Sequence, residues 1–124
     1  MRIRVLPTPD AVLQAVIDGA AVIVPAIWKL EVVNTLVVAE RRKKLTPAKS
    51  AAFLRDLQKF TITVDLEGID QVFGTVLDQA RLHQRSAYDD SYLELAKRRG
   101  LPLATRDQPL GKAAHELGIP LFQP

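Results

Sequence analysis

Three acidic positions define the chemistry open to this chain. Glu31 lies inside "VPAIWKLEVVNTLVVAE", Asp89 near the start of "YDDSYLELAKRRG", and Asp107 just after "LPLAT". The sequence has no cysteine, and His83 and His115 have no metal-ligand spacing to each other. Carboxylates without thiolate or paired imidazole would make a hard-oxygen site, suited to Mg²⁺ or Mn²⁺. Such an ion acidifies a bound water and neutralises charge developing on a phosphoryl group. Carboxylates alone repel phosphate, so nearby cations matter, and Lys29, Arg85 and Arg106 are the candidates. Asn34, one turn after Glu31, and Thr105, two before Asp107, are placed to orient ligands or water.

Each position also has a plainer reading. Glu31 is costly in the middle of an apolar helix unless paired or bound, but it could lie on a narrow solvent stripe with Lys29 and Thr35. Ser86-x-x-Asp89 has capping-box spacing, and by spacing alone the cap is the favoured role for Asp89. Asp107 precedes Pro109 and suits an N-cap as well as a site. Thr105 alone reads as an ordinary strand-end residue.

The elements that must position these groups follow from pattern. The 124 residues are the length of one domain, and at 48% hydrophobic they can bury a core without disulfides. "PDAVLQAVIDG" (9–19) and the stretch from Ala26 to Lys43 read as helices, the second apolar nearly all round and so expected to be buried on most sides. "TPAKSAAFLRDLQKF" (46–60) opens with a Thr cap and a proline. Residues 68–84 have helical spacing through Ile69, Val72, Phe73, Val76, Leu77 and Ala80. Helices are also expected from Ser86 and over 109–117. "AAVIVP", "TITVDL", "LPLAT" and "GIPLF" read as strands. Strands alternating with helices imply an α/β fold with a mostly parallel sheet, whose ligands bind beyond the strands' carboxyl ends.

Net charge is +3. "RRKK" (41–44) and "KRR" (97–99) are local basic clusters, read first as solvated helix C-termini and second as contacts for nucleic-acid phosphates or an acidic partner. No apolar run is long enough for a membrane span and "MRIRVLPTPD" is not a signal peptide, so a soluble cytoplasmic protein is expected. There is no GxGxxG, P-loop, nucleophile elbow or HExxH, which leaves a generic nucleotide-binding or phosphoacceptor domain as a minor alternative.

From about Ala11 to Phe122 the chain resembles a PIN-domain ribonuclease of the VapC toxin type. "VPAIWKLEVVNTL" resembles the stretch carrying the family's second acid, which falls on Glu31. "SAYDDSYLELAKRRGLPLATRD" resembles its most recognisable block, with the third acid on Asp89 and the fourth position on Asp107. Asp90 stands where the family has a small residue and is given no catalytic role. "GIPLF" resembles the closing strand. The resemblance implies one domain (1–124) with a PIN-like three-layer α/β/α fold. It also implies one or two Mg²⁺ or Mn²⁺ ions, hydrolysis of RNA by metal-activated water, an antitoxin protein that blocks the site, and a homodimer.

The chain departs from that pattern at its start. The family's first strand ends in "VDxS", whereas "RIRVL" ends at Leu6 and Pro7, and Asp10 comes too late to replace the missing acid. Three readings stay open: a shortened product, a relative without nuclease activity, or "RIRVL" filling the strand slot while three acids hold the metal. A filled slot is expected, with catalysis weakened or absent unless the first acid is supplied otherwise. The alternative function is therefore binding of an antitoxin or RNA without cleavage.

Overall fold

The computed structural model describes residues 3–4, 21–105 and 107–121. The helix expected over 9–19, Asp10, Arg106 and Phe122 lie outside the described residues. The elements are β1 (Ile3–Arg4), β2 (Ala21–Pro25), α1 (Trp28–Arg41), α2 (Pro47–Leu57), β3 (Ile62–Asp65), a 3₁₀ turn (Glu67–Gln71), a π turn (Val72–Val76), α3 (Leu77–His83), α4 (Ala87–Arg99) and α5 (Gln108–Glu116). All described strands are parallel, in the order β1-β2-β3, with Ile3 opposite Ala21 and Val22 to Pro25 opposite Ile62 to Asp65. Part of "RIRVL" therefore does pair with β2, but β2 is the middle strand of the described sheet. The chain is an α/β protein, as the alternation implies.

Local chemistry sets most boundaries. Thr46 Oγ1 accepts from the Lys49 N–H (3.2 Å) and Pro47 opens α2. Ser86 Oγ accepts from the Asp89 N–H (3.0 Å) at the start of α4, and Gly100, at φ 64°, closes it. The core lies where α4 crosses the sheet, with Tyr92, Leu93, Leu95 and Ala96 against Val22, Ile23 and Val24. From α5, Leu110, Ala113 and Ala114 close it.

Four expectations need correction. Helix α1 is not buried on most sides: Trp28, Val32 and Leu36 form one buried stripe, while Leu30 and Val33 are exposed. One buried face is all that its packing against the core requires. Among the described residues "LPLAT" and "GIPLF" meet in one parallel bridge rather than a ladder, Leu103 to Leu121, with the Leu103 N–H donating to the Pro120 carbonyl (2.9 Å). Pro102 and Pro120 have no N–H, so the ladder cannot extend through them. Residues 68–84 are helical but change type twice, between Gln71 and Val72 and between Val76 and Leu77, and Gly68 and Gly74 within the stretch weaken a regular α-helix. Their apolar stripe does not enter the core: Val76 is buried, yet Ile69, Val72, Leu77 and above all Phe73, 93% exposed, are not. Among the described residues no helix is long and apolar enough to cross a membrane.

Candidate functional site

Glu31 sits in the first turn of α1, just beyond the carboxyl end of β2. Asp89 sits in the first turn of α4. The fold brings these two helix starts together, so that the Asp89 charge acts on Glu31. The Glu31 pKa is raised, mainly by burial and further by Asp89, while a hydrogen bond from Tyr92 works the other way. The Tyr92 hydroxyl donates to Glu31 Oε1 across 61 positions of sequence. Tyr92 is itself 1% exposed, so its ring is fixed by the core and its hydroxyl holds Glu31 in place. No lysine or arginine of the described residues forms an ion pair with Glu31 or Asp89. The Asp89 backbone fills the cap at Ser86 through its N–H, and this leaves the carboxylate free of that task.

The third acid is held differently. Asp107 Oδ1 accepts from the Leu110 N–H (3.1 Å) as the N-cap of α5, and the Asp107 N–H donates to Thr105 Oγ1 (3.0 Å). Thr105 Oγ1 and Asp107 Oδ1 are thereby engaged in local backbone bonds. Among the described residues no three of His, Asp and Glu come close enough to hold a metal ion together. Asn34 and Lys29 are exposed on α1. Arg85 Nη1 donates to the Pro109 carbonyl (3.0 Å), tying the start of α4 to α5, while its buried Nε has no partner. Arg106 lies outside the described residues.

Three features were not anticipated from sequence. Tyr92 follows Asp89 by three, on the same helix face, and that spacing was the available signal. Asp90 is 1% exposed, with no hydrogen-bond partner for either carboxylate oxygen. Burial pushes its pKa up to about 6, Glu94 adds to the rise, and His83 and Arg85 oppose it. The third is a buried charge network at the carboxyl end of β3. Asp65, 2% exposed, accepts hydrogen bonds from Arg98, from Arg99 (3.3 Å) and from the Gly68 N–H (2.9 Å). Arg98 also pairs with Glu94 and with Glu67 (3.3 Å). Burial would raise the Asp65 pKa, but the Arg98 and Gly68 hydrogen bonds, the Arg98 charge and Arg99 together hold it below the ordinary carboxylate range. Gly68 is required here, because a Cβ on it would stand 2.8 Å from Asp65 Oδ2.

No protein-family model and no curated protein matches this chain. Its fold is similar to that in the crystal structure of PAE2754 from Pyrobaculum aerophilum, with a TM-score of 0.64 over 89% of this chain and 85% of that chain. At 21% identity this likeness shows the fold alone.

Proposed function

We propose that this chain is a metal-dependent endoribonuclease of the PIN-domain, VapC-toxin type, built as three α/β/α layers and hydrolysing RNA phosphodiester bonds in the cytoplasm. The Glu31–Asp89 pair carries this reading. Two carboxylates from different helices stand close enough to feel each other's charge, beyond the end of a parallel strand and with no cation from the described residues between them. Mg²⁺ or Mn²⁺ fits that donor set, since Mg²⁺ in particular binds through one or two carboxylates and keeps several waters. Glu31 and Asp89 would hold the ion, which when bound supplies an acidified water and positive charge toward the scissile phosphate.

The chain's own residues do the rest. Tyr92 holds Glu31 in one orientation through its hydroxyl. Lys29, exposed two residues earlier, favours a polyanion's approach. Asp107 caps α5 through Oδ1 and stands in no three-acid group with the pair among the described residues, which makes it the weakest of the three ligands in this reading. An antitoxin protein and a second copy of the chain are the partners this function calls for.

A second reading, binding of RNA or an antitoxin without cleavage, is favoured by one observation: the described residues supply no third acid beside the pair. A single assay separates the two. Labelled structured RNA is incubated with the protein and Mn²⁺ or Mg²⁺, then with chelator, beside Asp89→Asn. Metal-dependent cleavage that disappears in the variant supports the nuclease. Binding without cleavage by folded protein supports the second reading.

A further inference from the structure

The far end of α1 carries four consecutive cations, Arg41, Arg42, Lys43 and Lys44, all exposed and none in an ion pair with a described residue. The backbone there closes as a Schellman-like turn, with the Lys43 N–H on the Glu40 carbonyl (2.9 Å) and the Lys44 N–H on the Ala39 carbonyl (2.8 Å). This puts Lys43 at φ 58°, in the left-handed region. Glycine is the residue that fits such a position without strain. Glycine occupies it after α4 (Gly100, φ 64°) and after α5 (Gly118, φ 73°), and a glutamine after α3 (Gln84, φ 53°). At α1 the position is a lysine, which carries a conformational cost there and continues the run of positive charge.

The helix dipole does not account for this. A cation in the last turn satisfies the negative end of the helix, and Arg41 already does so. Three further cations beside it mainly repel one another unless an anion lies across them. A protein partner would need an apolar anchor at its centre. This turn offers none, since Leu45, the next residue, is packed against the core. Uniform positive charge without apolar surface is the character of a nucleic-acid interface. The same helix carries Glu31 in its first turn, ten to thirteen residues away, or about 15–20 Å at ~1.5 Å per residue.

We infer that Arg41–Lys44 is a phosphate-binding surface that grips an RNA backbone at the opposite end of α1 from the carboxylate pair. It draws on the nuclease reading only for the identity of the polyanion. The test is binding of labelled single-stranded RNA to the full chain in EDTA, so that nothing is cut, between about 50 and 200 mM salt. Replacing all four cations by glutamine is expected to flatten the fall of log affinity with log salt by about 2–3, near 0.7 for each phosphate no longer neutralised. Lys43→Gly gives two readouts of opposite sign: a melting temperature higher by a few degrees as the turn relaxes, and a salt slope flatter by about 0.7. The inference is overturned by unchanged RNA affinity and slope in the fourfold variant. It is equally overturned if that variant loses only binding to polyglutamate or anionic vesicles. Loss of RNA binding in the fourfold variant, with no cleavage by the parent protein when metal is added, would defeat the nuclease reading and keep this surface.

Discussion

Asp90 is the residue whose environment fits it least. Its carboxylate is buried, lacks a hydrogen-bond partner, and has a pKa raised from 3.8 to about 6. A carboxylate more basic in the folded state than in the unfolded one destabilises the fold above its folded pKa. That penalty fades as pH falls through about 6 toward the unfolded value. Asp90→Ala should therefore stabilise the protein at pH 7, by up to about 3 kcal/mol for a shift of ~2 units. The gain should shrink toward zero near pH 4 when denaturation is followed at both pH values. Tyr92→Phe removes one hydroxyl and little volume. It should cost about 1 kcal/mol of stability and, if the proposed metal site is real, weaken Mn²⁺ binding by roughly 10- to 100-fold, the usual effect of losing a group that orients a ligand. Titration calorimetry with Mn²⁺ checks it; equal affinities would show that Glu31 needs no such support. The sequence signalled the cap at Ser86, because capping is local, although the Asp89 carboxylate takes no part in it. It could not signal that Tyr92 meets Glu31 or that Asp90 faces the interior, because both depend on partners brought in by the fold.

At the scale of elements, β3 and α4 are joined by charge as well as by packing. Arg98 neutralises Asp65 at the end of the strand, and Asp65 is almost wholly buried. Arg98→Met should leave that carboxylate without its main partner and cost about 3–5 kcal/mol. Asp65→Asn in the same chain should recover part of that stability, read from urea midpoints. Because the Asp65 pKa is depressed, its contribution is complete above the unfolded value near 3.8 and is lost as pH falls through the folded one. The helix starts at Thr46 and Ser86 were legible as sequence because each is set by one residue type at one position. The 68–84 segment was not: its apolar spacing fits an α-helix, but two glycines and an uncovered face give 3₁₀, π and α turns in succession. The strands expected at "LPLAT" and "GIPLF" shrink to one bridge among the described residues for the opposite reason, since their apolar character is genuine but Pro102 and Pro120 interrupt the ladder.

For the whole molecule, alternation of apolar runs and helical spacing was enough to read an α/β fold with parallel strands. It was not enough to place β2 in the middle of the described sheet, because strand order is decided by which crossovers pack. The exposed side chains Leu66, Ile69, Val72 and Phe73 are the most apolar surface of this stretch. If the proposed dimer uses this face, Phe73→Glu should lower self-association in sedimentation equilibrium while leaving the melting temperature nearly unchanged. Unaltered association would move the contact elsewhere. The parallel pairing of β2 with β3 also bears on how the protein is made. Val22 must wait for Ile62, about forty residues later in synthesis, or roughly 2–8 s at ~5–20 residues per second. During that interval the valine-rich strand has no β3 to lie against, and Asp65 emerges before the arginines that neutralise it. A nascent chain stalled between those points would present its stickiest segment to the cell, so the speed of translation across α1 and α2 should influence how much of it reaches the native state.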